Sequence, residues 1–402
     1  MTSLWIFTAL LWFGLLTMRA PERWVLSGFE IGLFGLACAM VIRRRLALRP
    51  HPISILLAVA ASMGVLQVWL GISVDPGRTL QAALGWVVNC AAFSLAFALT
   101  ADRAQRKWFL HAQVFFALGL GVAAVLWLLT ASVLGPFVYK NQFAAYLESV
   151  LGIAIAAALR DKRRSLGWML CAAALFAAAV SSGSRAGAIL CLAELILLPG
   201  VAYARRWISG KSLLRAGALA AVTASALVAI TGWQTTWKRL QEPNPYAERA
   251  NFLRSSIAMI EERPLQGFGL GAWPSAYPAY ARFDDGTFVN EAHNDWAQWA
   301  VEGGAPLLLI MAAIVALLVR PAFDSLWGLG VLAVFVHAWV DYPFEQRPAL
   351  AAFLFAMAGV LAREVIHRRS LRTTSSREAH RRRESFPVGP AARPSENSLP
   401  AD

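Results

Sequence analysis

The residues best suited to chemistry in this chain are a few arginines and one histidine that flank long apolar stretches. Arg249 and Arg254 lie in one polar segment, Arg185 begins an apolar stretch, and His293-Asn294 precede another. An arginine fork binds phosphate oxygens bidentately and stays charged when partly desolvated. A histidine, with a reference pKa of about 6.5, accepts protons near neutral pH. The combination predicts that the protein binds an anionic, lipid-borne substrate and reacts with it, with His293 as the general base.

Membrane helices must position these residues, because the composition is that of a membrane protein. The 402 residues are 58% hydrophobic and 15% charged, with a mean hydropathy of +0.52. Apolar runs near the roughly 20 residues that cross a bilayer recur along the chain, and backbone in lipid must be helical. We therefore predict an all-α polytopic membrane protein with about twelve transmembrane helices, near residues 4–18, 25–42, 53–73, 80–99, 109–130, 142–159, 166–180, 186–204, 213–231, 305–319, 325–340 and 349–362.

The distribution of basic residues orients this predicted bundle. Of the 37 Lys and Arg, 25 fall on the side of the chain termini, so that side is cytoplasmic by the positive-inside rule. The predicted order is nine helices in 1–231, one large external loop in 232–304, three helices in 305–362 and a basic tail in 363–402 that its composition predicts to be disordered. The net charge of +13 then reflects helix ends near anionic headgroups, not nucleic acid binding.

The external loop carries its own helical pattern. Between residues 247 and 262, apolar side chains recur at helical spacing, which predicts an amphipathic helix lying on the membrane domain with a buried face of Ala250, Leu253, Ile257 and Ile260. Pro264 ends this helix, and three glycines predict a flexible turn, at Gly267, Gly269 and Gly271. Aromatic residues that follow suit the headgroup level or a sugar face, namely Trp273, Tyr277, Tyr280 and Phe283. A second amphipathic segment is predicted at 293–301.

Six short motifs follow one another from residue 141 to residue 343. They are Asn141-Gln142-Phe143-Ala144-Ala145-Tyr146-Leu147, Ser182-Gly183-Ser184-Arg185-Ala186-Gly187, Arg249 with Arg263-Pro264-Leu265-Gln266-Gly267-Phe268-Gly269, His293-Asn294-Asp295-Trp296, Glu302-Gly303-Gly304, and His337-Ala338-Trp339-Val340-Asp341-Tyr342-Pro343. In order and spacing they resemble the O-antigen ligase and polymerase superfamily of bacterial membrane glycosyltransferases. The chain has Pro306-Leu307 where the ligase histidine motif would have a second glycine, so ligase and polymerase both stay open.

The resemblance implies a glycan transfer at the periplasmic face of the bacterial inner membrane. A glycan linked to undecaprenyl pyrophosphate would move to an acceptor hydroxyl, without metal, nucleotide or other cofactor. The acceptor would be lipid A-core for a ligase, another lipid-linked glycan for a polymerase, or a protein. A transporter of a small anion or lipid-linked saccharide is the rival from another class. It would place charges at mid-membrane on broken, repeated helices, whereas here they cluster at one face.

The resemblance also assigns roles to individual residues. His293 would activate the acceptor, while Arg185 and Arg249 would hold the departing pyrophosphate. Further substrate contacts are assigned to Lys140, Asn141, Asn294, Glu302 and Arg254. We expect Lys140, Arg185, Arg249 and His293 to converge around one cavity at the outer surface.

Each role has a structural alternative. Arg185 would snorkel to headgroups, as arginines at span ends commonly do, and Arg249 would pair with Glu248. Asn141 would cap a helix. Asp295 or Glu302 would orient His293. The late motif holds a second acidic–basic pair, His337 with Asp341, which helix packing explains as well as catalysis does.

Overall fold

The structure, a computed structural model, describes residues 1–20, 22–43, 50–131, 135–231, 247–282, 286, 288–345 and 348–384. Regular structure in these residues is helical throughout, which confirms the predicted all-α class. The helices are α1 Thr2–Leu16, α2 Arg23–Ile42, α3 Pro52–Trp69, α4 Pro76–Leu99, α5 Arg103–Ala131, α6 Lys140–Arg160, α7 Ser165–Ser181, α8 Arg185–Ala204, α9 Gly210–Thr231, α10 Ala247–Glu262, α11 Trp273–Ala276, α12 Asp295–Ser325, α13 Gly328–His337 and α14 Pro348–Glu384.

Eight of these helices are long and apolar enough to cross a membrane. They are α2–α6, α8, α12 and α14, and three shorter apolar helices accompany them, α1, α7 and α13. Each of the twelve predicted spans falls on one of α1–α9 or α12–α14. A multi-pass membrane protein is therefore confirmed, while the count of twelve spans stays a prediction.

The N-termini of several helices lie together at one end of the bundle, which we call the loop end because α10, α11 and residues 263–282 and 288–294 lie there. Side-chain oxygens cap three of these helices, from Asp75 on α4, Ser184 on α8 and Asn294 on α12. Each accepts a backbone N–H from three residues later, at 3.1, 3.2 and 3.0 Å. These caps define where the helices begin, and the candidate site residues lie at or next to these starts.

The helix α6 runs through the centre of the bundle. Of its membrane span 89% is buried, and every residue from 142 to 156 is buried. Helices α5, α7, α8, α13 and α14 pack against it. Small residues allow this close approach, since a Cβ added at Gly152 would meet the backbone oxygen of Trp327 at 2.7 Å. This packing fixes the first turn of α6 at the loop end.

Residues 247–304 fold around a small apolar core of their own, formed by Phe252, Met259, Phe268, Trp273, Ala276, Tyr277, Ala292 and Val301. The prediction that the aromatic residues face headgroups or a sugar is wrong for Trp273 and Tyr277, which are buried. Burial is favourable because the Trp273 indole N–H donates to Ser256 Oγ at 3.1 Å, so its polar atom has a partner inside. Phe283 lies outside the described residues.

The predicted loop helix is confirmed as α10, but its predicted buried face is wrong. The buried residues of α10 are Phe252, Ser255, Ser256 and Met259, whereas Leu253 and Ile257 are exposed. Two serines allow α10 to approach the rest of the loop closely, and Ser255 Oγ donates to the backbone oxygen of Tyr280 at 2.8 Å. The helical spacing of apolar residues does not identify this face, because two of its four buried residues are serines.

The glycine turn after α10 is tightly packed, so the predicted flexible turn is wrong. Gly267, Gly269 and Gly271 all have positive φ, at 64°, 109° and 66°. A Cβ at Gly267 would overlap the backbone of Glu302. The Phe268 and Gly269 amides donate to carbonyls at the start of α12, at 2.9 and 3.0 Å. Glycine is therefore required here for left-handed backbone and close approach.

The helix α12 is kinked where it packs against the residues that follow α10. Gly304, at φ 63° and ψ −165°, interrupts the helix where it meets the residues after α10. The Ala305 amide donates to the Pro264 carbonyl at 2.8 Å, and a Cβ at Gly304 would lie 2.9 Å from that carbonyl oxygen. The segment predicted as amphipathic, residues 293–301, thus leads into α12, whose first part, residues 295–303, is buried.

The C-terminal tail differs from its predicted disorder over the described residues, since α14 continues to Glu384. Its first part, residues 348–366, is a membrane-type span of which 89% is buried. No proline interrupts the sequence from 349 to 386, so helical residues such as Arg, Glu and Ala extend the packed span. Residues 385–402, and residues 232–246 of the predicted loop, lie outside the described residues.

Candidate active site

Asp341 is the centre of the polar cluster at the loop end. Its carboxylate is 3% exposed and contacts side chains from two other parts of the chain. Arg249 Nη2 donates to Asp341 Oδ2 at 3.1 Å, and Asn141 Nδ2 donates to the same oxygen. The Tyr342 amide donates to Oδ1 at 3.0 Å, and His293 Nδ1 lies 3.9 Å from Oδ1. We call Asn141, Arg249, His293 and Asp341 the Asp341 cluster.

Arg249 reaches the cluster from the first turn of α10. Besides Asp341, its guanidinium donates from Nη1 to the Val340 carbonyl at 2.6 Å. These two contacts orient the guanidinium plane against the residues after α13, so pairing with Glu248 does not explain its position. The side chain keeps 28% exposure, which leaves it accessible to an anion from outside.

His293 is held between two aromatic rings. It stacks on Phe252 at 5.7 Å and meets the edge of Tyr342 at 4.7 Å, with 30% of its side chain exposed. Burial lowers the pKa of His293, and Arg249 lowers it further while Asp341 opposes the shift. The imidazole is therefore neutral at neutral pH, and its Nδ1 has no hydrogen-bond partner among the described residues.

The backbone of His293 is also unusual. Its φ is +53°, a left-handed conformation that few non-glycine residues adopt. The next two residues hold it there, because Asn294 caps α12 and the Asp295 amide donates to the Ala338 and Asp341 carbonyls at 2.9 and 3.2 Å. Such strain persists only where surrounding contacts determine it, and it is common at active sites.

Lys140, Asn141 and Arg185 begin two neighbouring helices at this end. Asn141 lies in the first turn of α6 and does not cap it, since the cap position is Tyr139. Arg185 is the first residue of α8, as the sequence predicts. The two helix starts lie side by side, because a Cβ at Gly187 would overlap Ala144 of α6. Two helix N-termini with positive dipole ends thus flank the Asp341 cluster.

Of the four residues predicted to converge, the structure joins Arg249 and His293 through Asp341. It places Lys140, which is exposed, next to Asn141 of the cluster, and Arg185 at the adjoining helix start. Convergence of all four around one cavity stays a prediction.

Asn294 and Glu302 have structural duties that differ from their predicted substrate contacts. Asn294 Oδ1 is used by the cap of α12. The Glu302 carboxylate is 2% exposed and accepts backbone N–H groups of Gly271 and Trp273, at 2.7 and 3.4 Å, and the Gln298 amide at 3.0 Å. Glu302 thereby connects the glycine turn to α12 through internal hydrogen bonds. Its role in the described residues is to support the site structurally.

Asp295 and Glu302, the alternative partners of His293, bind other groups, and the Asp341 carboxylate lies 3.9 Å from His293 Nδ1. Asp295 is fully buried, and its Oδ2 accepts the Phe344 amide at 3.0 Å. The chain turns into α12 at Asn294 and Asp295, so the Asp295 carboxylate is directed away from the His293 imidazole.

The side chains of Arg254 and His337 contact residues outside the cluster. Arg254 is exposed, and its guanidinium donates to Asn251 Oδ1 at 3.2 Å on the same helix. It follows Arg249 by five residues, which places the two on different faces of α10. His337 does not pair with Asp341: its Nδ1 lies 2.8 Å from Glu148 Oε1, and both side chains are fully buried. The predicted acidic–basic pair is therefore two separate contacts.

The central role of Asp341 was not predicted, although the signal is present in the sequence. A lone aspartate that follows an apolar helix and precedes Tyr342-Pro343 is a poor candidate for lipid exposure. Its partners lie 200 and 92 residues away, at Asn141 and Arg249. No local pattern connects residues so distant, and only the packing of α6 and α10 at the loop end brings them together.

A sequence model of the O-antigen ligase family matches residues 169–312 of the chain, from α7 into α12. The matched range includes Arg185, Arg249 and His293, whereas Asn141 and Asp341 lie outside it. Searches of curated proteins and of solved structures gave no match.

Proposed function

We propose that this chain, which belongs to the O-antigen ligase and polymerase superfamily, transfers a glycan from undecaprenyl pyrophosphate to an acceptor hydroxyl such as that of lipid A-core. The transfer would take place at the periplasmic face of the inner membrane and without a metal. Membership implies a membrane glycosyltransferase that acts on a lipid-linked glycan and an acceptor. The observation that carries the finer proposal is the Asp341 cluster, which places an arginine and a neutral histidine side by side.

The arginine side of the cluster suits the leaving group. As the glycosidic bond breaks, negative charge grows on the pyrophosphate, and a preorganised cation stabilises that charge best. Asp341 and the Val340 carbonyl fix the Arg249 guanidinium before substrate arrives. Lys140 and Arg185 add positive charge at two helix N-termini beside it. In this proposal these residues hold the diphosphate at the membrane surface, where the polyprenyl chain remains in lipid.

The histidine side suits the acceptor. Because its pKa is lowered, His293 is in the free-base form at neutral pH. Asp341 near Nδ1 favours the tautomer with the proton on Nδ1, which leaves the Nε2 lone pair for the acceptor. In the proposed step the acceptor hydroxyl gives its proton to Nε2 while its oxygen bonds to the anomeric carbon. The bond from that carbon to the diphosphate oxygen breaks, and the electron pair leaves with undecaprenyl pyrophosphate.

The direct test is a substitution of His293 that respects its backbone. Asparagine tolerates the left-handed conformation, so His293→Asn removes the base with little strain. Purified protein in nanodiscs, supplied with undecaprenyl-pyrophosphate glycan and lipid A-core, should lose about 100- to 10,000-fold of the transfer rate. His51→Asn is the matched control, since His51 caps α3 through Nδ1 and asparagine is itself a good cap.

The control should transfer at the wild-type rate. If folded His293→Asn protein transfers glycan at the wild-type rate, His293 is not the general base. Incubation with donor alone separates the two branches of the superfamily: longer lipid-linked glycans without lipid A-core would show a polymerase instead of a ligase.

A further inference from the structure

A cavity of about 350 Å³ lies beside the Asp341 cluster but does not include its residues. Its wall contains Glu291 and Gln298, which flank His293 in sequence, and Phe344 and Glu345, which follow Asp341. The cavity is therefore lined by residues of the same two segments that carry His293 and Asp341. We call it the α4 cavity, because one face of α4 forms its long side.

The α4 cavity extends from the loop end toward the membrane. Its α4 side runs from Arg78 past Trp86 to Asn89, and a rise of about 1.5 Å per residue makes this roughly 16 Å. The start of α14 forms the facing wall, with Ala351 and Phe355. The rings of Trp86 and Phe355 lie 6.2 Å apart. The volume is in the lower range of small-molecule sites, which are about 300 to 1,000 Å³.

Charges of both signs line the mouth. Arg23 and Arg78 begin α2 and α4, and Glu291 and Glu345 face the same space. Burial raises the pKa of Glu345 to about 7, although its carboxyl accepts the Trp299 indole N–H at 3.0 Å. Near neutral pH the Glu345 carboxyl therefore both donates and accepts hydrogen bonds.

The inner part holds a buried acceptor without a donor. Asn89 is 6% exposed, and its Oδ1 has no hydrogen-bond partner among the described residues. A buried amide oxygen left unpaired is unfavourable by about 1 to 3 kcal/mol, so nearly all such atoms have partners. Because Asn89 lines the cavity, a ligand hydroxyl or N–H that enters it would satisfy this oxygen.

These features select the chemistry of the occupant. The α4 cavity has two arginines and two glutamates, so its charges balance and it selects neither an anion nor a cation. Hydroxyl groups suit the α4 cavity, because they donate to carboxylates and to Asn89 and accept from arginines. The aromatic rings suit the apolar face of a sugar. A neutral, hydroxyl-rich ligand is the class that meets all these groups.

We propose that the α4 cavity binds the saccharide end of the acceptor, an inference that rests on the proposed glycan transfer. Glu291 precedes His293 by two residues, so their Cα atoms are at most about 7 Å apart. In this assignment the saccharide approaches His293 from the cavity, and the diphosphate approaches it from the side of Arg249. In a direct displacement the acceptor oxygen must approach opposite the leaving group, and this arrangement provides the two sides.

The first experiment replaces Asn89 by leucine in the full-length protein. Asn89→Leu has similar volume and removes an unpaired buried oxygen, so it should not destabilise the fold. We expect the KM for lipid A-core to rise about tenfold, with the KM for the undecaprenyl-pyrophosphate donor unchanged. Asn251→Leu, at a half-buried position of α10 outside the α4 cavity, should change neither constant. An unchanged acceptor KM, or an equal rise in both constants, contradicts the assignment.

The second experiment needs no catalysis. An alkyl glucoside with a diazirine on its sugar is photocrosslinked to wild-type protein in nanodiscs, and labelled peptides are mapped. We expect labels on residues 78–89 and 348–355, competed by unlabelled alkyl glucoside and reduced at least fivefold by Asn89→Leu. Labelling elsewhere, or insensitivity to the substitution, overturns the cavity assignment. Site-specific labelling in a protein that transfers no glycan would keep the saccharide site and refute the proposed function.

Discussion

Replacing Asp341 by asparagine tests how far one buried carboxylate organises the site. Asp341→Asn keeps the size of the side chain and removes its charge. Asn141 can rotate its amide to present oxygen to the new amide, so the fold should survive. The charge-assisted contact with Arg249, now 3.1 Å between Nη2 and Oδ2, is lost. The guanidinium then keeps the Val340 carbonyl as its partner in this region but loses the group that fixes its plane.

The expected loss follows from the burial of the pair. A hydrogen bond between charged groups is worth about 1.5 to 3 kcal/mol, and Asp341 is only 3% exposed. Arg249 is 28% exposed, so solvent screens part of the interaction. We therefore take the lower part of this range, about 1.5 to 2 kcal/mol of lost transition-state stabilisation, which is roughly a 12- to 30-fold fall in kcat.

The assay is release of undecaprenyl pyrophosphate by purified protein in nanodiscs, with thermal unfolding measured in parallel. Asp324→Asn is the control, because Asp324 forms two salt bridges at the other end of the bundle, with Arg205 and Arg320, and its side chain is 40% exposed. Its rate should stay within about twofold of wild type. A folded Asp341→Asn protein with a rate within threefold of wild type would refute the organising role of Asp341.

Three further predictions concern neighbouring features. Because the pKa of His293 is lowered, the acid limb of the pH profile of kcat/KM should lie below pH 6.5. Asp341 opposes this lowering of the pKa, so Asp341→Asn should move the acid limb to still lower pH. Gly304→Ala should destabilise the protein by about 1 to 3 kcal/mol in thermal unfolding, because φ is +63° and the Pro264 carbonyl is too close, whereas Gly167→Ala, with open space in α7, should not. Arg254→Ala, on the exposed face of α10, should transfer glycan within about threefold of wild type.

The sequence predicts the helices well because their signals are local. The pattern of residues 247–262 predicts α10 at its observed bounds, and Ser184 marks the start of α8. Caps and prolines act over a few residues, so no tertiary knowledge is needed to place helix ends. The number of helices that cross the membrane is harder, since α1, α7 and α13 are short and their environment decides.

The site is predicted less well because it depends on contacts between distant segments. The sequence predicts Arg185 and Arg249 as the arginines and His293 as the base, and the structure brings Arg249 and His293 together at Asp341. The sequence suggests Asp295 or Glu302, which are near His293 along the chain, as the carboxylate that orients His293, whereas the carboxylate between Arg249 and His293 is that of Asp341. Glu302 illustrates the same difficulty, since two of its polar partners, the Gly271 and Trp273 amides, lie 31 and 29 residues earlier in the chain.

The most direct measurement of the central claim counts both products of one reaction. Wild-type protein in nanodiscs receives undecaprenyl-pyrophosphate glycan and lipid A-core in the presence of a chelator, and released lipid pyrophosphate is compared with glycosylated acceptor. We predict that the two form in equal amounts, and that both disappear together in Arg249→Ala. Release of lipid pyrophosphate without glycosylated acceptor would contradict transfer by the Asp341 cluster. So would wild-type amounts of both products from a folded Arg249→Ala protein.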